Sequence, residues 1–302
     1  MEYKGGSIIK YLREEMGVTQ EELAKRLYIS QRQLSRVENG EAELDWLEFL
    51  TAFSSLGIET DDFWIMFLDV EEFKGYMQYQ QLRKYLRNND RAQATKCLML
   101  LEESPLGQRD FMTQFIMAIS CILDEMDDAE RMRGLHEALS ITIKDFDAAK
   151  MDSYNLIYNE IMIISELALL HDKHDNPNLA IDLLYGIVNG LENDRLRLSP
   201  FEKELAFPRP IVYLYRLLFR EGRYEEAAKV CNIALYRNNL WPIDCSFYPE
   251  SHYTLAICYK QLGKPADEYI PLLVKAYHTA QGIRQNELAR KAKEAYHEAK
   301  GK

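Results

Sequence analysis

Only three residues, Tyr28, Ile29 and Ser30, separate two short stretches that each carry apolar side chains at helical spacing. Leu23, Ala24 and Leu27 lie before the break, Ile29 within it, and Leu34 and Val37 after it. So short a break between amphipathic helices is the pattern of a helix-turn-helix, in which the two helices cross closely. Ala24 falls at the crossing, where a larger side chain would force them apart. Helix starts are marked by Thr19-Gln20-Glu21-Glu22, Ser30-Gln31-Arg32-Gln33 and Asp45-Trp46-Leu47-Glu48. In each, a side-chain oxygen precedes Glu or Gln by three residues and can partner the amides that a helix start leaves unpaired. With Ile8, Ile9, Leu12 and Met16 upstream, the spacing predicts helices over about 7–16, 20–27, 31–38 and 46–56. A fifth is expected from near Asp61, burying Phe63, Met66 and Phe67.

Downstream of about residue 75 the texture changes. The chain of 302 residues has only 14 Gly and 9 Pro, and strong helix formers fill its long stretches, so an all-α protein is expected. Ile211, Leu214, Tyr215 and Leu218 are followed by Gly222 to Ala227, then Cys231 and Ala234. This places small and large residues where the tetratricopeptide repeat has them. Leu255-Ala256 with Tyr259 and Gly263 repeats the phase, and weaker units centre on Leu167-Ala168, on Leu82 and Tyr85, and on Met117-Ala118. The turn positions are Asn89, Glu125, Asp175, Gly222 and Gly263. The expected architecture is therefore a five-helix head over 1–66, a linker over 67–75, and over 76–302 a superhelical array of about five degenerate tetratricopeptide-like helix pairs. Such an array leaves a groove along its inner helices.

Several function classes fall away. The longest uncharged run, Phe111 to Leu123, is too short to span a bilayer, and the first residues lack the apolar core of a signal peptide. The expected location is the cytoplasm, with no membrane partner. Cys97, Cys121, Cys231, Cys245 and Cys258 form no C-x-x-C pair and read as buried free thiols. No phosphate-binding, nucleophile-elbow or zinc-protease motif is present, and His171-Asp172-Lys173-His174 reads as a solvated helix end. Gly186 and Gly190 form a lone G-x-x-x-G of little weight. No enzyme, catalytic residue, metal or cofactor is implied.

The segment from Thr19 to Gly40 resembles the Cro/phage-repressor (XRE-type) DNA-binding domain, a likeness of about 60 residues. It implies that the helix beginning after Ser30 reads double-stranded DNA. Gln31, Arg32, Gln33, Ser35 and Arg36 would be exposed toward the major groove, where Arg can fork onto guanine and Gln onto adenine. Ser30 starts that helix; Gln20, at the start of the preceding one, would hold a phosphate. The resemblance also implies that Asn39 touches the backbone and that Arg13 pairs with Glu38 inside the domain. Net charge is −11 for the chain and −6 for residues 1–64, although residues 19–38 carry +1. Glu41 and Glu43 stand where related domains often place basic residues. One head should therefore bind weakly, and two heads on two half-sites become necessary. Tyr28 replaces a glycine common in that family at a left-handed turn, a substitution that costs on the order of 1 kcal/mol.

Such a head followed by degenerate repeats resembles the peptide-pheromone-responsive regulators of the Rgg, PlcR, PrgX and NprR class, with Leu56 to Phe63 most like the Rgg branch. The resemblance implies a cytoplasmic homodimer whose array binds a short signalling peptide. Candidate groove residues are Asn155, Tyr158, Asn159, Met162, Ser165 and Leu169 in the middle repeat. The next two repeats offer Val212, Arg216 and Phe219, then Glu250, Tyr253, Ile257 and Lys260. Asn155 and Asn159, four apart, would share a helix face and pair with a peptide backbone; the alternative is that they are ordinary solvent-facing residues. Arg216 suits either a peptide carboxylate or an internal ion pair. Two other functions stay open: a scaffold or protein inhibitor acting through the array, and a phage-type repressor that answers to no peptide.

Overall fold

The computed structural model describes residues 4–58, 63–87, 90–193, 195–196, 198, 202–203, 206–240 and 246–301. Among them every regular element is helical. The chain divides into two compact units, Met1–Glu125 and Met126–Lys302.

The first unit opens with α1 (Gly5–Glu15), α2 (Gln20–Arg26), α3 (Gln31–Glu38) and α4 (Trp46–Ser55), each within about two residues of expectation. Thr19 with Glu22, and Asp45 with Glu48, exchange reciprocal side-chain and backbone hydrogen bonds, while Ser30 Oγ accepts from Gln33 N at 3.1 Å. Ile8, Ile9, Leu23, Leu34, Val37, Phe49 and Phe53 are fully enclosed, and Ala24 is buried. Gly6 permits the closest approach: a Cβ there would lie 1.9 Å from the Val37 carbonyl oxygen, so α1 and α3 meet backbone to backbone.

The expected fifth helix is a 3-10 turn, Phe63–Phe67, which buries Ile65 and Met66 and leaves Phe67 half-buried. Asp61, and Glu59 to Asp62 of the Rgg-like segment, lie outside the described residues, as does the Phe63 side chain. Residues 67–75, expected as a linker, carry the end of this turn and the start of α5 (Val70–Arg87). The physical reason is another capping box: Asp69 N donates to Glu72 Oε2 at 3.0 Å and Glu72 N to Asp69 Oδ1 at 2.9 Å. Phe73 then sets its ring edge-on to Phe53, centroids 5.7 Å apart, so the head's core runs on into α5. Helices α6 (Arg91–Glu103) and α7 (Asp110–Leu123) complete the unit, and Arg109 pairs with the buried Glu72 carboxylate.

The second unit holds α8 (Asp128–Ser140), a 3-10 turn at Ala148–Ser153, α9 (Tyr158–Lys173), α10 (Pro177–Glu192), α11 (Pro208–Arg220), α12 (Tyr224–Leu240), α13 (Tyr248–Gln261), α14 (Ala266–Gly282) and α15 (Asn286–Lys300). The pairs α9–α10, α11–α12 and α13–α14 turn at Asp175 (φ 57°), Gly222 (φ 72°) and Gly263 (φ 69°), three of the expected positions. Each left-handed turn sends the next amide back to a carbonyl five residues earlier: Asn176 N to His171 O, Arg223 N to Leu218 O, and Lys264 N to Tyr259 O. Arg284 (φ 62°) makes the same bond through Gln285 N and Ala280 O, which adds α15 beyond the last expected pair. The second expected pair, α7 with α8, falls on the boundary between the units, and Asn89 lies outside the described residues. Ala168, Ala180, Ala227, Ala234 and Ala256 are fully buried where the pairs pack. Gly186 has a packing role: a Cβ there would lie 2.5 Å from Met151 Cβ.

Candidate nucleic-acid interface and ligand cleft

Helix α3 presents one polar face. Leu34 and Val37 are fully buried, whereas Ser30, Gln31, Arg32, Gln33, Arg36 and Asn39 are exposed and Ser35 is half-buried. The face is held from behind by a carboxylate. Arg13 donates through Nε to Glu38 Oε1 at 2.7 Å and through Nη2 to Oε2 at 2.9 Å, while its Nη1 reaches the Val18 carbonyl at 3.1 Å. The Glu38 side chain is 1% exposed, so this is a desolvated pair that ties α1 to α3. The Glu38 hydrogen bond raises the Arg13 pKa above its ordinary value despite burial.

Gln20, at the start of α2, is also tied to this carboxylate. Its Nε2 donates to Glu38 Oε2 at 2.8 Å, which joins α2 to the same carboxylate and leaves the second amide proton for a further acceptor. The backbone amides of Gln20 and Glu21 add to what α2 can offer a phosphate, Glu22 N being capped by Thr19 Oγ1 at 3.2 Å. Arg36 lies 3.8 Å from Glu41 through Nε, whereas Arg32 pairs with no carboxylate among the described residues. Tyr28 sits in the turn with φ 57° and its side chain 96% exposed: the left-handed strain is present and no packing offsets it.

In the second unit, ion pairs link successive first helices. Glu166 on α9 pairs with Arg209 on α11 at 2.5 Å, Asp172 on α9 with Arg220 on α11, Arg216 on α11 with Glu250 on α13 at 2.5 Å, and Lys260 on α13 with Glu298 on α15 at 3.1 Å. Glu166 is buried and the other pairs are exposed; exposed pairs contribute little stability each, but a row of them fixes which helix faces which. Where α11, α13 and the start of α15 meet, they line a cleft of 550 Å³. Arg216, Phe219, Glu250 and Tyr253, all expected to face ligand, are brought together there. Gln285, Glu287, Leu288 and Lys291 form the opposite wall; sequence reasoning missed them because the Arg284 turn carries no glycine to mark it.

Other expected groove positions separate. Asn155 is exposed in an extended segment before α9, not on the helix, so it shares no helix face with Asn159. The cause is the helix start: Glu160 accepts from Ile157 N at 2.8 Å and sets the first turn at Tyr158. Ser165 is buried, its Oγ donating to the Ile161 carbonyl at 2.6 Å. Tyr158, Asn159, Met162 and Val212 are half-buried, and Lys260 is held by Glu298 outside the cleft. Cys97, Cys121, Cys231 and Cys258 are buried free thiols, with burial pushing the Cys258 pKa up to about 12; Cys245 lies outside the described residues. His174 Nε2 lies 3.2 Å from Asp128 Oδ2, and no three potential metal ligands cluster among the described residues.

Residues 9–45 match the family described as Helix-turn-helix. The head is a helix-turn-helix domain. Over nearly its whole length the chain also resembles solved structures. PlcR of Bacillus thuringiensis, in complex with the peptide PapR7 and DNA, superposes with a TM-score of 0.62 at 18% identity, covering 96% of this chain and 99% of that one. The apo form of the same protein gives 0.60 at 16% identity, covering 95% and 97%. ComR from S. thermophilus, in complex with DNA and its signalling peptide ComS, gives 0.51 at 15% identity, covering 98% and 99%. What is shared at these identities is the fold, a helix-turn-helix followed by a helical array. No curated protein sequence matches the chain. No described helix is long and apolar enough to cross a membrane.

Proposed function

We propose that the chain is a DNA-binding transcription regulator controlled by a short peptide, with the helix-turn-helix reading an operator and the array receiving the signal. The observation that carries this reading is the exposed row Gln31, Arg32, Gln33 and Arg36 on a helix fixed from behind by Glu38. The array reading is supported by a fold shared with proteins solved in complex with peptide and DNA. The groove residues then act as a surface of mixed character. Tyr158, Asn159, Met162, Val212 and Tyr253 offer apolar or amide contacts, and Arg216 offers a charge.

Residues 1–66 are the DNA-binding part of this proposal, and their net charge of −6 limits counterion release. Two heads on paired half-sites supply what one lacks, so the active species is a homodimer. Its place of work is the cytoplasm, where DNA is accessible and buried thiols stay reduced. The test is a fluorescence-anisotropy titration of the DNA upstream of the gene against scrambled DNA at low salt. Arg32→Ala and Arg36→Ala should each remove about 1–3 kcal/mol of discrimination and leave non-specific binding largely intact. Equal affinity for both DNAs in the unsubstituted protein would sink the proposal.

A further inference from the structure

We propose that the cleft between α11, α13 and the start of α15 captures the free C-terminal carboxylate of an extended peptide with an apolar last side chain, Arg216 being the anchoring cation. This rests on the peptide-receptor reading above and says which end of the peptide enters and where.

Arg216 is already oriented. Its Nε donates to Glu250 Oε1 and its Nη2 to Glu250 Oε2, both at 2.5 Å, which fixes the guanidinium plane. A guanidinium carries five N–H donors in a rigid fork, so two are used and Nη1 still faces no partner among the described residues. Half of the side chain is exposed, and it lines the cleft. Glu250 is thus a positioning residue: it holds Arg216 ready for a second carboxylate, so less rotamer freedom is lost when one arrives.

The charge balance favours an anion. Four ionised side chains line the cleft: Arg216, Lys291, Glu250 and Glu287. Both carboxylates are committed, Glu250 to Arg216 and Glu287 to Arg290 at 2.7 Å. Lys291 stands 3.7 Å from Glu287, a carboxylate that Arg290 already engages more closely, so its charge is only partly compensated. An incoming amine would have to share a carboxylate that a guanidinium already engages, whereas an incoming carboxylate is offered the open donors of Arg216 Nη1 in a cleft that Lys291 also lines. Phe219, Tyr253 and Leu288 supply apolar surface beside these charges. The volume of 550 Å³ lies within the range of small-ligand sites and suits the end of a peptide better than its whole length.

The test uses the full chain and two pools of random heptapeptides ending in Leu, Ile, Val or Phe, one with free C-terminal carboxylates and one amidated. Retained peptides are identified by ultrafiltration and mass spectrometry, then titrated by anisotropy with a fluorophore at the amino end. The free-acid pool should be enriched, and amidation of a retained peptide should weaken it about tenfold or more. Arg216→Gln should close most of the gap between acid and amide, the acid losing about tenfold or more and the amide far less. Arg216→Lys, which keeps the charge and loses the fork, should retain part of the difference. Should Arg216→Gln lower the melting temperature, the exposed Lys291→Gln carries the test, with about a threefold loss confined to the acid. Equal binding of acid and amide by the unsubstituted chain overturns this site and leaves the receptor reading standing. Retention of neither pool overturns the receptor reading and the site with it.

Discussion

The helix-turn-helix and the cleft are built in opposite ways. Every exposed side chain proposed to touch bases lies within six consecutive residues, Gln31 to Arg36, on one helix whose start and back face are set by near neighbours in sequence or by a single buried carboxylate. The cleft instead gathers residues from 216 to 291, carried on three helices whose mutual positions depend on every intervening turn. A locally encoded surface survives errors elsewhere in the chain; an assembled one depends on the register of the stack. The head should therefore fail through one or two residues, and the cleft by small slips of register.

The largest expected effect follows from that concentration. Glu38→Ala would strand the buried Arg13 guanidinium and release the Gln20 amide, and breaking a buried pair in this way costs about 3–5 kcal/mol. Hydrogen exchange followed peptide by peptide should show residues 5–55 losing protection while α9 to α15 keep theirs. Equal loss across both units would break the contrast. Gly6→Ala comes next: the Val37 carbonyl cannot yield to a Cβ at 1.9 Å without separating α1 from α3, an overpacking cost of about 1–3 kcal/mol. Denaturant unfolding should show it, and operator affinity should fall with stability. Tyr28→Gly acts in the opposite direction. Relieving a left-handed, solvent-facing tyrosine should raise stability by about 1 kcal/mol and leave DNA discrimination unchanged. A lower melting temperature would show that Tyr28 makes contacts that offset its strain.

The same contrast explains what was legible beforehand. Helices α2 to α4 are legible because their caps are local hydrogen bonds between residues three apart, and α1, which has no side-chain cap, is legible from its apolar spacing alone. The turns at Asp175, Gly222 and Gly263 were legible because a left-handed residue favours Gly or a short polar side chain. Where the local signal was unusual, the reading slipped. Ile157 is a poor candidate for a helix cap, and only the reach of Glu160 back to its amide fixes the start of α9, which displaces Asn155 from the helix. Arg284 hides a turn, and with it the wall of the cleft that α15 supplies. The Asp69–Glu72 box is as local as the others and marks the start of α5 inside the stretch expected as a linker, whereas the pairing of Gln20 with Glu38 spans 18 residues. Pairing between distant residues is the information that spacing rules do not hold.

The smallest predicted effect separates the two units by pH. All six histidines lie beyond residue 125: His136, His171, His174, His252, His278 and His297. Burial holds His136, His171 and His252 below the ordinary histidine range, and the charges of His136 and His174 push His171 further the same way. A histidine with a lowered folded-state pKa is protonated first in the unfolded chain. The unfolded state therefore binds more protons as pH falls through about 6.5, and stability declines there while being fully present above it. Carboxylates contribute little in this window; Asp128, held low by Lys173 and His174, would lose its advantage only at more acid pH. Lowering the pH from about 7 to about 5.5 should thus loosen α8, α9 and α13 in hydrogen exchange while leaving α1 to α4, which contain no histidine, unaffected. His171→Gln should flatten part of that response. Equal loosening of α1 to α4 would show that the head's stability is tied to the array's, and that the two are less independent than their construction implies.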